Sequence, residues 1–360
     1  MKKVISAVLS VLCVFFMLFS LSACNTNVIK SPDKEYVTRS KTISYIHFDT
    51  ASVLSSYGDM TDEQFDSYVK TADEILERYH KLFDIYYEYA GINNIRTINN
   101  NAGKSPVEVD EELIDFLVYC KDLYNTTGGK TNIMFGSVLK IWHDKREQAD
   151  ENGGYLAEEL LPSQDELSRA NEHTSIDLLI IDEAAGTVYI SDPNASIDVG
   201  AIAKGYAASK VAQAIKAQGG DSMAVNAGGN IVTIGIKPGG KNWVTGITNP
   251  DKLADNSIIC RVEIGETSLV TSGNYERYFV SGDVCYNHII DPETLMPADY
   301  FASVSIFTQD GALADALSTA LFCMSYEDGL ALIESLSDTE ALWILKDGTI
   351  KHTNGVHLAN

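Results

Sequence analysis

Residues 198–206, Asp-Val-Gly-Ala-Ile-Ala-Lys-Gly-Tyr, have the pattern of a turn that leads from a short strand into a helix. The first N–H groups of a helix and the positive end of its dipole attract anions. Asp198 closes the strand, and Lys204, one turn into the helix, adds a full positive charge. The segment therefore indicates a phosphate-binding helix start. An ordinary capped helix with a solvated lysine would show the same pattern.

Asp315 and Thr319 are four residues apart in a segment that otherwise consists mainly of alanine, leucine and serine. On a helix this spacing puts both side-chain oxygens on one face. An aspartate among apolar neighbours requires a partner, and a carboxylate beside a hydroxyl suits Mg²⁺, which prefers oxygen ligands and keeps water and substrate phosphate in its shell. The pair predicts a metal site. A buried aspartate that accepts backbone hydrogen bonds is the structural alternative.

Two other segments could contribute to the same chemistry. Residues 226–229, Asn-Ala-Gly-Gly, join two apolar runs, and the glycines permit a positive φ and the close approach of a planar ring. A hairpin turn without a ligand is the alternative. His288 ends a strand just before Asp291-Pro292 and could act as a general base, whereas a lone histidine is often structural.

Composition limits the functions that these segments can serve. The chain has 360 residues, of which 45% are hydrophobic and 21% charged, as expected of a globular protein with a large core. A formal net charge of −23 disfavours binding to nucleic acid or an anionic membrane, so any phosphate site must be local. Gly129-Lys130-Thr131 lacks the first glycine of a P-loop, and Ser272 lacks the frame of a nucleophile elbow.

The N-terminus has the pattern of an export signal. Lys2 and Lys3 precede an apolar run, which Leu21-Ser22-Ala23-Cys24 closes like a bacterial lipobox. We predict a lipoprotein signal peptide over residues 1–23, lipidation of Cys24, and a flexible tether over residues 24–40. The domain would then be lipid-anchored at the extracytoplasmic face of the cell membrane, with a net charge of −25 once both lysines are removed. A retained transmembrane anchor is the alternative.

Four cysteines remain after Cys13, in the signal, and Cys24 are set aside, namely Cys120, Cys260, Cys285 and Cys323. No two of them have C-x-x-C spacing, which gives no support to a metal or redox motif. We expect buried thiols with at most one disulfide, and the sequence leaves their pairing open.

Hydrophobic periodicity predicts an α+β fold with antiparallel sheets, in which each half of one domain is a helix-plus-sheet unit. Helices are predicted over residues 62–83, 202–217, 311–323 and 327–336. One more helix is predicted with the acids of residues 110–112 in its first turn and Gly128-Gly129 as its stop. Strands are predicted over residues 45–57, 176–181, 187–190, 223–225, 231–236, 243–248, 258–264, 278–280, 284–290 and 303–307, with a closing pair around residues 346–349. Residues 145–161 are acidic, contain glycine and have no period, which is typical of a surface insertion.

Taken together and in order, six segments resemble the FAD:protein FMN transferase family, often called ApbE. They are residues 129–142, 198–207, 226–231, 271–278, 288–292 and 315–320. The resemblance spans roughly residues 41–350 and is specific because of the joint order of the motifs and the lipoprotein signal. It implies an ApbE-like fold with a catalytic domain over residues 41–357. It also implies a transferase that moves FMN from FAD, through a phosphoester bond, to a Thr or Ser hydroxyl of an extracytoplasmic flavoprotein and releases AMP.

The resemblance implies roles for the residues that match the motifs. It places Asp198 and Lys204 at FAD, and it places Asn226, Gly228 and Gly229 along the flavin pocket. FAD would be the donor substrate, and the acceptor would carry a Thr/Ser flavinylation motif.

Metal binding and catalysis are implied in the same way. The carbonyl of Ala201, with Asp315 and Thr319, would surround Mg²⁺, and Mn²⁺ or Ca²⁺ are alternative ions. His288, which would also lie at FAD, matches the proposed base for the acceptor hydroxyl. Asp315 would act in catalysis as a ligand of the metal.

Two stretches depart from the family pattern. Phe48-Asp49-Thr50 stands where many members have Met-Gly-Thr, and Met134-Phe135-Gly136 replaces an Asp-Pro-Thr-type run. Phe48 and Met134 are therefore not assigned to the site. Two other functions remain open: a metal-dependent FAD pyrophosphatase that gives FMN and AMP, and a flavin-binding lipoprotein without catalysis.

Overall fold

The computed structural model of the protein describes residues 27–30 and 35–359. Within this part the strands are β1 (Asn27–Lys30), β2 (Glu35–Ser44), β3 (Ser52–Tyr57), β4 (Val107–Glu108), β5 (Leu179–Asp182), β6 (Thr187–Ile190), β7 (Met223–Ala227), β8 (Asn230–Ile234), β9 (Trp243–Thr248), β10 (Ile258–Ile264), β11 (Ser268–Gly273), β12 (Tyr278–Ser281), β13 (Val284–Asn287), β14 (Ser303–Thr308), β15 (Glu340–Ile344), β16 (Ile350–His352) and β17 (His357–Ala359).

The α-helices of the same residues are α1 (Asp62–Phe83), α2 (Ile95–Asn100), α3 (Glu111–Thr126), α4 (Gly136–Glu151), α5 (Gln164–Asn171), α6 (Ala203–Ala217), α7 (Gly311–Phe322) and α8 (Tyr326–Glu334). Helix α1 has the predicted bounds because Thr61 and Gln64 form a capping box at its start. Helices α6 and α7 each begin and end within one residue of the prediction. The apolar spacing therefore located the helices that carry the motifs.

Within the described residues, nine strands form one sheet in the order β1-β2-β3-β7-β8-β11-β14-β15-β16. Smaller sheets have the orders β17-β10-β9, β12-β13 and β4-β6-β5. All of these strand pairs are antiparallel, so the predicted α+β class is confirmed. Both halves of the chain contribute strands to the large sheet, and the two sets of strands meet where β8 pairs with β11.

Strand β11 is absent from the predicted strands although it is central to the large sheet. Its sequence, Ser-Leu-Val-Thr-Ser-Gly, ends in small polar residues that have little preference for strands. Tertiary contacts compensate: the hydroxyl oxygens of Thr271 and Ser305 are 2.8 Å apart, and those of Ser272 and Ser318 are also 2.8 Å apart. Hydroxyl pairing with β14 and α7 therefore stabilises a strand that periodicity does not reveal.

Two apolar clusters cover the large sheet. One contains buried side chains of α1, α3 and α6 together with those of β3, β7 and β8. The other contains buried side chains of α7 together with those of β11, β14 and β15. Each half of the chain thus places helices on its own part of the sheet, as predicted.

Helices α6 and α7 meet at two glycines. A Cβ atom on Gly205 would overlap the carbonyl oxygen of Gly311 and would lie 2.8 Å from the Cβ of Asp315. The N–H of Gly311 donates to the hydroxyl of Ser209 at 3.0 Å. Glycine is required here because only a residue without a side chain lets the two backbones approach so closely. This contact fixes where Asp315 lies relative to α6.

The structure corrects the interpretation of residues 145–161 as a surface insertion. Helix α4 continues through Glu151, and Ala149 and Leu156 are buried. The N–H of Leu156 donates to the carbonyl of Val280 at 2.9 Å, which attaches the segment to β12. The acidic residues lie on the exposed face of the helix. Because the segment has only a few buried apolar positions, its sequence shows no clear hydrophobic period.

The N-terminal predictions lie largely outside the described residues. The signal peptide and Cys24 are not described, and no helix of the described residues combines the length and apolar character that crossing a membrane requires. Strand β2 begins at Glu35, inside the predicted tether over residues 24–40, and pairs with β3 from Thr38 onward. Regular structure therefore begins before residue 41.

The four cysteines of the described residues are all free thiols. Cys120 and Cys323 are buried, as expected, and burial raises the pKa of both. Cys285 is exposed. None of the four is part of the site described below.

Replacing Gly205 with Ala tests the contact between α6 and α7. We expect the free energy of unfolding to fall by about 1–3 kcal/mol, because the added methyl group overlaps backbone atoms that cannot rotate away. Urea denaturation measures the change. Gly329→Ala on α8 is the comparison variant: its Cβ would lie 3.3 Å from the Cγ of Leu321, a side chain that can shift, so we expect a smaller loss of stability than for Gly205→Ala. Equal stability of the two variants would contradict the contact.

Candidate active site

Asp315 lies on α7 and is buried against the first turn of α6. Its Oδ2 atom accepts a hydrogen bond from the N–H of Gly205 at 2.9 Å and lies 3.8 Å from the Nζ of Lys204. Burial raises the pKa of this carboxyl group, and the charge of Lys204 and the hydrogen bond from Gly205 oppose that shift. The predicted acid and the predicted cation therefore share one site, although they are far apart in the sequence.

The turn before α6 brings Asp198 and Ala201 to the same end of the helix. The Oδ1 of Asp198 accepts from the N–H of Gly200 at 2.9 Å, and the Nζ of Lys204 donates to the carbonyl of Gly200 at 3.3 Å. Lys204 is folded back over the turn, so it is not the freely solvated lysine of the structural alternative. The start of α6 therefore carries a lysine and the Asp198 carboxylate, and the Asp315 carboxylate meets it from α7.

Thr319 follows Asp315 by one turn of α7 and is half-buried. The described residues contain no group of three or more His, Cys, Asp or Glu side chains that could hold a metal ion alone. The predicted ligands are one carboxylate, one hydroxyl and the carbonyl of Ala201, all of them oxygen donors and too few to complete the shell of a metal ion. Such a set fits Mg²⁺, which retains water and substrate phosphate as its other ligands.

His288 lies just past β13, at the open end of a hairpin with β12. Its backbone N–H donates to the carbonyl of Arg277 at 3.0 Å, and its Nδ1 lies 3.2 Å from the same oxygen. An Nδ1–H donor leaves Nε2 unprotonated and able to accept a proton. Burial and the positive charges of Arg277, Arg146 and Lys204 lower the pKa of His288 to about 3, so the ring is neutral near pH 7.

Arg146 and Arg277 are site residues that the sequence analysis missed. Burial lowers the pKa of Arg146, as does the neighbouring charge of Arg277. Burial lowers the pKa of His143, Asp198 opposes that shift, and both arginines add to it. Within the described residues neither arginine forms an ion pair with a carboxylate. A chain with 27 basic and 50 acidic residues thus keeps two arginines available for an anionic ligand beside His288.

A sequence signal for these arginines existed. Arg146 follows Trp142 by four residues on α4, so both lie on one face of the helix. Arg277 precedes β12, and the register Tyr278↔Asn287 places it opposite His288. Both signals are local, and neither of them indicates that α4 and the β12–β13 hairpin meet.

Stacked aromatic rings support the hairpin that carries His288. Ring centroids of Phe279 and Tyr286 are 5.2 Å apart at an interplanar angle of 7°, and Trp142 stacks on Tyr286 at 6.0 Å. The indole N–H of Trp142 donates to the carbonyl of Leu295 at 3.0 Å. A small pocket opens between these rings and the charged groups, lined by Trp142, His143, Arg146, Phe279, Tyr286, Asn287 and His288.

Residues 226–229 form the predicted turn between β7 and β8. Gly228 and Gly229 have φ angles of 58° and 92°, and the Oδ1 of Asn226 accepts from the N–H of Gly229 at 2.9 Å. The N–H of Gly228 donates to the carbonyl of Ala51 at 3.1 Å, which attaches the turn to the loop before β3. A Cβ on Gly229 would meet no atom within 4 Å, so this side of the turn is open.

The model of the ApbE family matches residues 46–343 of the chain. The protein belongs to the ApbE family. A curated relative from Treponema pallidum named FAD:protein FMN transferase is 33% identical over 278 residues, which cover 73% of each chain. A relative of the same name from Klebsiella pneumoniae is 28% identical over 77% of this chain and 82% of its own length.

Solved structures agree with this assignment. The ApbE protein of Thermotoga maritima superimposes with a TM-score of 0.74 at 27% identity and covers 88% of this chain and 97% of its own. The flavin transferase ApbE of Vibrio cholerae has a TM-score of 0.70 at 24% identity and covers 89% and 96%, respectively. The predicted ApbE-like fold is therefore confirmed.

In this ApbE protein, the predicted site residues fall into two groups. Asp198, Ala201 and Lys204 lie at the start of α6, Asp315 contacts that start from α7, and Thr319 lies one turn further along α7. The charge of Lys204 acts on the pKa of His288. Asn226, Gly228 and Gly229 form a separate turn. The roles of all these residues remain predictions. Phe48 and Met134, which were not assigned, are half-buried and buried, respectively.

Replacing Arg277 with Gln tests the charge environment of His288. We expect the pKa of His288 to rise from about 3 toward its ordinary value near 6.5, because one of the cations that disfavour the imidazolium is removed. NMR titration of the histidine Cε1–H signals measures this, with the His288 signal assigned from a His288→Asn spectrum. Arg261→Gln removes the same charge from an exposed position on β10 and should leave the His288 titration unchanged. An unchanged titration in Arg277→Gln would contradict the placement of that arginine.

Proposed function

We propose that this protein is a Mg²⁺-dependent FAD:protein FMN transferase that attaches FMN to a Thr or Ser hydroxyl of an extracytoplasmic flavoprotein and releases AMP. The observation that carries the proposal is the contact of the buried Asp315 carboxylate with the start of α6, beside Lys204. A diphosphate requires a local cation in a protein of charge −23, and this is where the fold could provide one. The names of the curated relatives support the reaction type.

The reaction is a phosphoryl transfer. The acceptor hydroxyl oxygen bonds to the phosphorus on the FMN side of FAD, and the bond from that phosphorus to the bridging oxygen breaks. AMP leaves with the bridging oxygen, and the hydroxyl proton passes to a base. Charge neutralisation and positioning determine the rate of such transfers, with little covalent participation by the protein.

Binding of the diphosphate would use the first turn of α6. Lys204 and the positive end of the helix dipole would attract the phosphate oxygens, and Arg146 and Arg277 would add positive charge near His288. Asp315, Thr319 and the Ala201 carbonyl would hold Mg²⁺, whose chemistry when bound is to neutralise charge on the phosphates. The acidic residues near the site would otherwise repel FAD.

His288 is proposed to accept the hydroxyl proton at Nε2. The carbonyl of Arg277 orients the ring through Nδ1, and the low pKa keeps Nε2 unprotonated before FAD binds. The negative charges of the diphosphate oppose the effect of the neighbouring cations and raise the pKa of His288 in the complex. The ring would then become a stronger base when the substrate is present.

An assay of the isolated protein with FAD, Mg²⁺ and a flavoprotein acceptor tests the function. We expect AMP release together with an increase in acceptor mass equal to one FMN. Asp315→Asn should abolish both, because it removes the charged ligand next to the diphosphate, and Thr319→Val should reduce them less. Asp122→Asn, on the exposed face of α3, is the matched control and should be as active as the wild type.

Other outcomes identify the competing functions. Free FMN and AMP without a change in acceptor mass would indicate a pyrophosphatase, and FAD recovered intact would indicate a binding protein. Normal turnover of Asp315→Asn at limiting Mg²⁺ would falsify the metal assignment and leave Asp315 as a buried residue that accepts a backbone hydrogen bond.

Replacing His288 with Asn tests the base. Single-turnover transfer at saturating FAD should slow by about 10²–10⁴-fold, while the affinity for FAD and the melting temperature stay near those of the wild type. His352→Asn, an exposed position on β16, is the matched control. A packing role predicts a lower melting temperature and weaker FAD binding together. Wild-type transfer by folded, FAD-saturated His288→Asn would exclude His288 as the base.

We also propose that Cys24 is lipidated and anchors the protein at the extracytoplasmic face of the membrane, on the basis of the lipobox-like sequence at residues 21–24. Cys24→Ala should release the processed protein from the membrane fraction, as measured by cell fractionation. Cys13→Ala, within the apolar run of the signal, should remain anchored. Continued anchoring of processed Cys24→Ala would refute lipidation at this residue.

A further inference from the structure

The Phe48 loop, residues 47–50, has an unusual backbone. Phe48 and Asp49 are consecutive non-glycine residues with φ angles of 56° and 52°. This left-handed region is costly for residues that have a Cβ atom, and such conformations persist where surrounding contacts enforce them. The contacts that hold the Phe48 loop therefore indicate what the conformation is for.

His80, on α1, holds the loop by a hydrogen bond to its backbone. The N–H of Phe48 donates to the Nδ1 of His80 at 3.2 Å, and the two rings meet edge to face at 5.7 Å. Nδ1 must be unprotonated to accept this bond. Burial lowers the pKa of His80 and keeps its ring neutral. A neutral ring then carries its proton on Nε2.

The other ring nitrogen connects the loop to a second one. The hydroxyl of Tyr89 donates to the Oδ2 of Asp84 at 2.7 Å, so it accepts from the Nε2–H of His80 at 3.4 Å. Asp84 is buried, and its Oδ1 accepts from the N–H groups of Tyr86 and Tyr87 at 2.6 and 3.0 Å. One chain of hydrogen bonds therefore joins the Phe48 loop to the Tyr86 loop, residues 84–89.

Both loops border the candidate site. In the Phe48 loop, Thr50 contacts Gly228 so closely that a Cβ on Gly228 would overlap the threonine side chain. In the Tyr86 loop, burial raises the pKa of Tyr86, and the next largest contributions come from Asp198, which raises it, and Arg146, which lowers it. The hydrogen-bond chain thus links the turn at residues 226–229 to the charged groups around His288.

We infer that His80 is a positioning residue for FAD binding: its two hydrogen bonds fix the Phe48 loop and the Tyr86 loop relative to each other, so that the rim of the FAD site is preformed. Binding of a large, flexible dinucleotide to ordered loops avoids the free-energy cost of ordering them. Neither ring nitrogen of His80 is available to the substrate. His80 therefore affects the affinity for FAD and leaves the rate of transfer from bound FAD unchanged. The inference rests on the proposed function.

Three variants test it, with FAD as the probe and no acceptor present. His80→Phe keeps a ring but removes both hydrogen bonds. We expect the Kd for FAD, measured by flavin fluorescence titration, to rise about ten- to a hundredfold. The reason is that the strained Phe48 loop is no longer held, so FAD binding must order it. His80→Asn keeps an acceptor for the N–H of Phe48 and should restore most of the affinity. Tyr89→Phe keeps the acceptor at His80 but removes the link to Asp84, and should have an intermediate Kd.

Transfer assays of the same proteins separate positioning from simple destabilisation. At saturating FAD, kcat of His80→Phe should lie within about threefold of the wild type, and only KM for FAD should rise. His352→Phe, an exposed change on β16, should leave both constants and the melting temperature unchanged. Where His80→Phe does not fold, Tyr89→Phe carries the test by the same split between KM and kcat.

Two results would overturn the inference: wild-type FAD affinity in folded His80→Phe and Tyr89→Phe, or a loss of kcat that saturating FAD does not restore. Failure of the proposed function has a different signature. In that case the wild-type protein itself would fail to bind FAD or to label the acceptor, whatever residue occupies position 80.

Discussion

The close approach of α6 and α7 at Gly205 and Gly311 is the constraint on which the site depends. Asp315 accepts from the N–H of Gly205 only because no side chain separates the two helices there. The same contact brings the carboxylate within 3.8 Å of Lys204. Since α6 belongs to one half of the sheet and α7 to the other, the joint between the halves and the candidate metal site are the same structural feature.

The charge distribution around the candidate site is the second requirement for binding a diphosphate. A chain with a net charge of −23 repels a diphosphate unless cations are concentrated locally. Arg277, Arg146 and Lys204 supply that concentration around His288, and burial together with their charges lowers the pKa of the histidine to about 3. In the proposed function, the cations that attract the diphosphate would also help to keep His288 unprotonated until the negative charge of the substrate arrives. Binding and proton transfer would then be coupled through one charge distribution.

The hydrogen bonds of His80 extend this organisation to the rim of the site. The N–H of Phe48 and the hydroxyl of Tyr89 require a neutral ring with its proton on Nε2, which burial favours. A neutral histidine can both donate and accept, so it can join a strained loop to a second loop through one side chain. The open face of the turn at residues 226–229 lies next to this rim.

The amino-acid sequence determined the local features and the family. Apolar spacing and capping residues located α1, α6 and α7, and the order of the motifs identified the ApbE family and its α+β fold. Periodicity could not find β11, whose polar end is stabilised by hydroxyl pairs with distant residues, or the buried side of residues 145–161. Asp198, Lys204, Asp315 and His288 could be proposed from their local patterns, because helix starts and strand ends have short-range signals.

Arg146 and Arg277 could not be assigned in the same way, because they become site residues only when α4 and the β12–β13 hairpin meet around His288. The pairing of His80 with Phe48 likewise joins residues 32 positions apart. The sequence alone thus determined the family and predicted which segments would carry phosphate chemistry. Only the tertiary structure decided which charges act on His288 and which loops are held together, since both depend on long-range packing that a pattern of neighbouring residues does not encode.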